Sequence, residues 1–580
     1  MIRKTYYLGL SVTYHDPALA VLDGGGGVRF AEATERHCQR KRALNAEPDD
    51  LAYFPEVLRA YCGDAEEFVL AFNWARRRPL YENLMAAFGV LHANGLLRTG
   101  IKRLKSPLEN YQLHHMMACQ RRSIDRAGLN AVRMIHQDFP RARVRMAHFD
   151  HHATHAASAC YASPFDSALC AVVDSYGQHG GLAFYRFHDG RLQPLHVARG
   201  LGSLGLFYMK LTESCGFDWL KGEEWKVMGL AAYGGEDAEF LPLLRAAIRV
   251  DGLNLVHDRA PLKRALSALD RLRCNPAELE RRAADLAYSG QQVFGEKMTE
   301  LLEALHARGG SDNLCLAGGC ALNSSFNGQI LERTPFRALF VPPAPADDGT
   351  ALGAAYLACA AERPVERESG AVFSPYLGAA ISADDVARIE RSVGGLRASR
   401  YGDGIEDQTA RRLASGKLVG WVQGRAEFGP RALGNRSILA DPRDPGMKDR
   451  INQRVKFREE YRPFAPAVLA ERGQEFFENY QPSPYMERTL RFLPEAAGRV
   501  PAVVHVDGTG RLQTVGREVN PRFHRLISAF EHLTGVPVLL NTSFNVMGKP
   551  IVHSVEDAVA VLMSSGLDVL VLDDLLIEKP

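Results

Sequence analysis

Two separate stretches of this chain follow the same local pattern, three strands joined by glycine turns, and that repetition limits what it can fold into. The first has alternating or continuous apolar runs at residues 6–12, 18–22 and 28–33, with the turn Asp23-Gly24-Gly25-Gly26-Gly27 before the last. Runs of β-branched and aromatic residues bounded by glycine are read as an antiparallel meander. The second has strands expected at 167–174, 181–187 and 192–198, with His188-Asp189-Gly190 as its turn. A further strand at 313–317 runs into Gly318-Gly319 and then a helix from about Leu322.

Paired meanders followed by a strand–glycine–helix step resemble the duplicated nucleotide-binding lobes of the actin and sugar-kinase superfold, an α/β architecture. At 580 residues the chain exceeds a single core, so at least two domains are expected. The periodicity at 73–129 predicts a helical insertion. The charged, proline-bounded stretch at 362–375 reads as interdomain chain. A second α/β unit follows, with strands at 418–422 and 538–540, a helix at 555–563 and a final strand at 569–572.

A formal charge of +2 argues against a dedicated nucleic-acid binder. The short clusters Arg40-Lys41-Arg42 and Arg76-Arg77-Arg78 read as solvated faces or local anion contacts. Ten cysteines without a paired CxxC suit buried thiols in a reducing compartment. The first residues show no signal-peptide pattern and no run of eighteen apolar residues occurs, so a cytoplasmic protein without a membrane partner is expected.

The sharpest chemical signal is His151-His152-Ala153-Thr154-His155. Residues four apart on a helix share a face, so His151 and His155 can turn two imidazoles to one ion. A zinc protease would carry Glu after the first His, where this chain has His152. Asp174 and Asp347 each follow an expected strand, and two imidazoles with two carboxylates suit Fe2+, Mn2+ or Zn2+. Gly318-Gly319 and Asp347-Asp348-Gly349-Thr350 each open a helix, so two positive helix ends could face one nucleotide. Farther on, Arg431, Lys456, Arg462 and Arg511 supply cations of the kind that clamp phosphate, and Asn541, Ser543 and Asn545 add neutral donors and acceptors at a strand end.

Together these segments resemble the carbamoyltransferase family that includes the nodulation-factor and antibiotic O-carbamoyltransferases. The matching motifs are Tyr14-His15-Asp16, the HxxxH, Asp174, Ser203-Leu204-Gly205, Lys226-Val227-Met228-Gly229, the run from Gly318 to Asn323, and Asp347. In the second half they are Gly429-Pro430-Arg431-Ala432-Leu433-Gly434, Lys456-Phe457-Arg458, Arg462-Pro463-Phe464-Ala465-Pro466 and Asn541 to Asn545. The resemblance implies a transfer domain over 1–365, similar to threonylcarbamoyl-transferring proteins and carrying the helical insertion at about 73–130. It further implies a linker over 366–400 and a YrdC-like adenylating domain over 401–580. The implied metal ligands are His151, His155, Asp174 and Asp347. His15 and Lys41 would act at the reacting carbamoyl group. Lys41, Gly205, Gly318, Gly319, Asn323, Thr350 and Lys456 would bind nucleotide. Arg431, Lys456, Arg462, Arg511, Asn541, Ser543 and Asn545 would bind carbamoyl phosphate. ATP with Mg2+ and carbamoyl phosphate are the implied co-substrates, and a small-molecule hydroxyl such as that of an antibiotic, alkaloid or modified sugar is the implied acceptor.

The chain departs from the family where Gly-x-Gly-Glu usually follows the metal-site Asp: here it has Ser175-Tyr176-Gly177-Gln178. A threonylcarbamoyl-type tRNA-modifying enzyme and a non-catalytic nucleotide-binding scaffold are the competing readings, and a homodimer is an open assembly.

Overall fold

The computed structural model describes residues 4–75, 110–367, 370–459, 461–462 and 464–579. Much of the expected insertion, residues 76–109, lies outside the described residues; within them, Asn110–Arg126 and Leu129–Asp138 are helices. The chain divides into two compact units. Unit 1 comprises residues 1–35, 42–322 and 331–371, and unit 2 comprises 36–41, 323–330 and 372–580.

Unit 1 contains two five-stranded sheets. The first is made of β1 (Thr5–Ser11), β2 (Ala18–Leu22), β3 (Val28–Ala33), β4 (Glu67–Phe72) and β5 (Arg143–His148). The second is made of β6 (Ser167–Val173), β7 (Leu182–His188) and β8 (Arg191–Val197). After a small ribbon of β9 (Arg249–Asp251) and β10 (Asn254–Val256), it adds β11 (Asn313–Ala317) and β12 (Ala338–Phe340). The orders are β3-β2-β1-β4-β5 and β8-β7-β6-β11-β12. In each, the first strand of an antiparallel meander pairs on its other side with a parallel strand, which pairs in turn with another. This shared order is the duplication expected from the sequence. Its expected strand bounds hold to within a residue, whereas the helix expected from Leu322 is only the short turn Ser324–Asn327.

The helix Gly349–Ala360 lies between the helix His151–Ala162 and the first sheet. Its sequence GTALGAAYLACA is apolar on every side, as befits a helix enclosed all round. Small residues let it approach closely: a Cβ on Gly353 would sit 1.8 Å from the Thr154 carbonyl oxygen, and one on Gly9 would sit 1.8 Å from that of Ala351.

Unit 2 is one mixed sheet of nine strands: β13 (Arg397–Arg400), β14 (Val419–Val422), β15 (Arg436–Ala440), β16 (Ala465–Leu469), β17 (Arg488–Arg491), β18 (Thr509–Val515), β19 (Val538–Ser543), β20 (Val569–Leu572) and β21 (Leu575–Glu578). Their order is β13-β21-β20-β14-β15-β19-β16-β18-β17. β20 is therefore not the last strand, because Asp573-Asp574 turns the chain into β21, which pairs back on β20. Trp421, Phe523 and Phe530 anchor the core. The span 366–400, read from sequence as a linker, carries the helix Ala383–Ser392 as well as β13. That helix has an apolar face, Val386 and Ile389, which joins the same core.

Two short pieces from earlier in the chain, residues 36–41 and 323–330, complete unit 2. Arg36 donates to the Gly429 carbonyl at 2.6 Å, and Gln39 donates to that of Ile551 at 3.1 Å. Asn327 donates to the Glu487 carbonyl at 3.0 Å, and the Thr489 and Ser324 hydroxyls bond at 3.1 Å.

A Gly353→Ala substitution should force the two helices of unit 1 apart. Overpacking of this kind costs about 1–3 kcal/mol. We expect a lower unfolding midpoint in urea and disruption of the candidate metal site described below, and a variant as stable as the parent would contradict the packing.

Candidate active site

In unit 1, four side chains from three elements converge. Asp150 caps the histidine helix, its carboxylate accepting from Ala153 N at 3.0 Å. His151 and His155 then stand one turn apart on one face, both buried. Asp174 comes from the end of β6 and Asp347 from the start of the Gly349–Ala360 helix. The Nε2 atoms of His151 and His155 lie 3.6 and 3.8 Å from Asp174 Oδ2, and 3.6 and 3.3 Å from Asp347 Oδ1. One potential ligand atom from each residue fits within 4.8 Å of the others.

The donor set suits a divalent metal. His155 places Nδ1 at 3.2 Å from the Pro345 carbonyl, which makes Nδ1–H the donor and leaves the Nε2 lone pair facing the carboxylates. That Nε2 is buried and has no hydrogen-bond partner. Burial disfavours charge on His151, Asp174 and Asp347. Even so, the two carboxylates raise His151 to about 10, and the histidines hold Asp174 down to about 2 and Asp347 well below the usual range. Two buried carboxylates thus demand a positive charge among them, which a metal cation would supply in place of a proton.

The surrounding loops hold this cluster in place. Asp174 Oδ1 accepts from Gly319 N at 3.2 Å, and its carbonyl accepts from the Ser203 hydroxyl at 2.6 Å. Gly318 takes φ +89°, and a Cβ there would lie 2.3 Å from the Val173 carbonyl oxygen, so the turn needs glycine. Gly205 packs against Ser175 N with room for no side chain. The Thr350 hydroxyl donates to the Asp347 carbonyl and bonds Ser11 and Asn73, so it braces the loop holding Asp347. Gln178, at the position where the family's acid is expected, is buried. Its Oε1 accepts from His151 N at 3.2 Å and Ala75 N at 3.3 Å. A neutral carbonyl oxygen there serves the free N–H groups at the start of the histidine helix.

His15 joins the cluster through Nδ1, at 3.0 Å from Asp16 Oδ2 and 3.4 Å from Asp347 Oδ2. Asp16 is held by Arg42, whose Nε and Nη2 donate at 3.2 and 3.0 Å. Burial opposes the Asp16 charge, but Arg42 and His15 outweigh it and hold the carboxyl below its usual range. Arg42 was read from sequence as part of a cluster serving as a solvated face or a local anion contact; here it makes the anion contact, with Asp16 inside unit 1. Lys41, expected with His15 near the reacting carbamoyl group and nucleotide, is grouped with unit 2, as is Asn323, whose Oδ1 caps the short helix Ser324–Asn327 by accepting from Phe326 N at 3.1 Å.

Unit 2 holds a cluster of the opposite sign. The Gly429–Gly434 loop is organised by Glu427, whose Oε1 accepts from Leu433, Asn435 and Arg436 N at 2.7, 2.8 and 3.1 Å. Asn541 and Gln513 tie the same loop to β19 and β18, donating to the Ala432 and Leu433 carbonyls at 3.1 and 2.9 Å. Arg431 stands in this loop, and burial lowers it to about 10. Arg511, on β18, is pushed well below its usual range by burial and then by Arg431, Arg458 and Arg462. Arg458 stacks on Phe464 at 4.3 Å and falls to about 9, through burial and Arg462 against the pull of Glu459.

Lys456 ends a π-helical turn, Asn452–Lys456, and Phe457 follows at φ +48°. Its ammonium donates to the Ser543 and Asn545 carbonyls, to Ser543 Oγ at 3.3 Å and to Asn545 Oδ1 at 2.6 Å. Burial, Arg458, Arg462 and Lys41, in that order, hold Lys456 well below its ordinary value. The seven residues expected to bind carbamoyl phosphate therefore share one region of the sheet. Sequence reasoning missed Glu427 and Gln513, which shape the site, and did not single out Arg458 as a member of the charge cluster. Only the spacing of Arg458 from Lys456 could have signalled it.

Carbamoyltransferase N-terminus and C-terminus family models match residues 97–356 and 410–579. A Synechocystis protein of undescribed function is 34% identical over 99% of this chain and 97% of its own length. Nodulation protein NolO of Bradyrhizobium diazoefficiens is 39% identical over 74% of this chain and 79% of its own. Among solved structures, full-length HypF in a phosphate- and nucleotide-bound form aligns over 63% of this chain and 57% of its own, at 11% identity and a TM-score of 0.35. The chain belongs to the carbamoyltransferase family, and it is a carbamoyltransferase enzyme. No helix among the described residues is long and apolar enough to cross a membrane.

Replacing His155 with Ala removes one of four donors. Metal affinity should fall by at least about 10-fold, the lower end of what losing even an outer-shell partner does. Elemental analysis of anaerobically purified protein, with circular dichroism as the folding control, measures it; unchanged metal content would disprove the ligand set.

Proposed function

We propose that this carbamoyltransferase is ATP-dependent and works in two steps. In the first, carbamoyl phosphate is hydrolysed in unit 2 to carbamate and phosphate. A carbamate oxygen then attacks the α-phosphorus of ATP, the α–β bridge breaks, and pyrophosphate leaves carbamoyladenylate behind. In the second, a hydroxyl of a small molecule attacks the carbamoyl carbon in unit 1, and AMP departs. The observation that carries this reading is the pair of buried, oppositely signed charge clusters, one in each unit.

Buried guanidinium groups without matching carboxylates are unfavourable until an anion arrives. Arg431 and Arg511 fit that description, and bidentate guanidinium contacts suit phosphate. Lys456, with Ser543 and Asn545, is held ready beside them. Lys41 lowers Lys456 through its charge, so we assign it to the anion chemistry of unit 2 rather than to transfer.

In unit 1, His151, His155, Asp174 and Asp347 would hold a divalent ion, Fe2+ by resemblance, with Mn2+ and Zn2+ also compatible with the donors. Such an ion would supply positive charge to balance the adenylate phosphate. His15, with Nδ1 held by Asp16, keeps Nε2 for the acceptor hydroxyl and takes its proton as the new C–O bond forms. Gly318, Gly319 and Gly205 allow the tight backbone turns beside which nucleotide would bind, Asn323 and Thr350 brace neighbouring turns, and Mg2+ accompanies ATP in unit 2. The acceptor is a natural product bearing a free hydroxyl, and a tRNA substrate is disfavoured by the balanced charge. Ten free cysteines support a cytoplasmic setting.

The two steps should separate by mutation. Arg462→Ala should abolish pyrophosphate release driven by carbamoyl phosphate, yet still carbamoylate the acceptor from supplied carbamoyladenylate. His155→Ala should show the reverse pattern, with product formation falling by about 100-fold or more, the scale of losing a preorganised electrostatic contact. Pyrophosphate and product are measured on one sample, and equal loss of both in folded variants would mean a single composite site.

A further inference from the structure

The anion site of unit 2 is rich in donors: four arginines and a lysine. Carbamoyl phosphate, however, carries an amino group whose two N–H bonds need acceptors. Acetyl phosphate has nearly the same size and charge but places a methyl group there. A site built to bond an N–H discriminates strongly against an analogue without it, since its own buried polar group is then left unpaired.

Among the described residues, the buried acceptor atoms without a hydrogen-bond partner in this part of unit 2 include Asn541 Oδ1, Glu427 Oε2, Gln423 Oε1 and His505 Nε2. The orientation of Asn541 is set by its NH2, which donates to the Ala432 carbonyl and, at 2.7 Å, to Gln513 Oε1. Asn541 is thus an expected member of the site. His505 had no role in the sequence reading.

His505 opens the tight turn that leads into β18, its N–H donating to the Thr509 carbonyl at 2.8 Å. Its Nδ1 lies 3.1 Å from Thr509 Oγ1, and that hydroxyl gives its proton to Asp507 Oδ1 at 2.7 Å. With the hydroxyl proton already committed to a carboxylate, Nδ1 must carry the ring hydrogen, and Nε2 presents a lone pair. Burial pushes the imidazole down to about 4 against the pull of Asp507, and Arg511 and Lys448 add to the lowering, so the ring stays neutral. The ring is placed by its neighbours: the Phe464 backbone lies within hydrogen-bonding reach and pulls the imidazole up against its burial, and Arg458 stacks on the Phe464 side chain. Ala465, next in the chain, is the register partner of Asn541 across β16 and β19. Arg511 follows Thr509 by two residues on β18, and Gln513, the partner of Asn541, follows Arg511 by two more on the same face.

We infer that His505 is a substrate-selecting residue of unit 2, its Nε2 accepting an N–H of the carbamoyl amino group beside Asn541. The assignment rests on the reading of unit 2 as the carbamoyl-phosphate site. A neutral imidazole suits this role because it adds no further negative charge among the arginines, where Glu459 already pairs with Arg462 at 3.6 Å.

Carbamoyl-phosphate-dependent pyrophosphate release, with acetyl phosphate as competitive inhibitor, tests the assignment. His505→Met, which removes the acceptor, should raise KM for carbamoyl phosphate by about 10-fold or more, the size of one lost hydrogen bond to a buried group. KM for ATP and the inhibition constant of acetyl phosphate should stay within about twofold, because neither contact involves the amino group. His505→Gln, which keeps an acceptor, should recover most of the lost affinity and shows whether any defect is merely structural. An unchanged KM for carbamoyl phosphate in His505→Met, or equal weakening of acetyl phosphate, overturns the inference. Absence of any carbamoyl-phosphate-dependent pyrophosphate release in the wild-type enzyme would instead overturn the underlying reading of unit 2.

Discussion

The contact between Gly353 and the Thr154 carbonyl is the constraint on which unit 1 depends. Two helices can meet backbone to backbone only where side chains are absent, and the sequences HHATHAASACYA and GTALGAAYLACA supply that absence. Because the helices touch, the face bearing His151 and His155 lies over the turn bearing Asp347. β6 then needs only to end at Val173 for Asp174 to complete the set. The site's precision is inherited from packing of small residues some distance along the same helices.

The two units solve opposite electrostatic problems. In unit 1, carboxylates are gathered where water cannot screen them, and imidazoles balance them. In unit 2, guanidinium groups are gathered instead; Glu459 pairs with Arg462, while Glu427 is spent on backbone N–H groups rather than on Arg431. Each cluster carries an imbalance that the folded chain does not cancel by itself. Such imbalances persist because the rest of the unit is rigid enough to hold like charges together.

Much of this was legible in the sequence, for physical reasons that can be named. Strands with buried faces and glycine turns announce themselves by period, so both meanders, β11 and β20 were readable within a residue. The HxxxH was readable because helical spacing alone sets its geometry. Asp174 and Asp347 were suggested by strand ends, but the family resemblance joined them to the histidines. What escaped was long-range in origin. Arg42 looked like one more charge in a basic cluster, and only folding pairs it with Asp16. Gln178 looked like a lost acid, yet its carbonyl oxygen serves the start of the histidine helix. Lys41 and Asn323 sit in segments whose local pattern carries no trace of the unit they join.

Those two segments have a consequence for how the protein is made. The chain passes between the units five times, since residues 36–41 and 323–330 belong to unit 2 while their flanks belong to unit 1. Residues 36–41 leave the ribosome about 330 residues before the bulk of unit 2 begins, which at about 5–20 residues per second is roughly 15–65 seconds of waiting. During that interval Arg36 and Gln39 have no Gly429 or Ile551 to bond. Unit 2 therefore cannot finish folding as an independent C-terminal module, and a gene cut at the apparent boundary near residue 371 would yield a fragment missing part of its own structure.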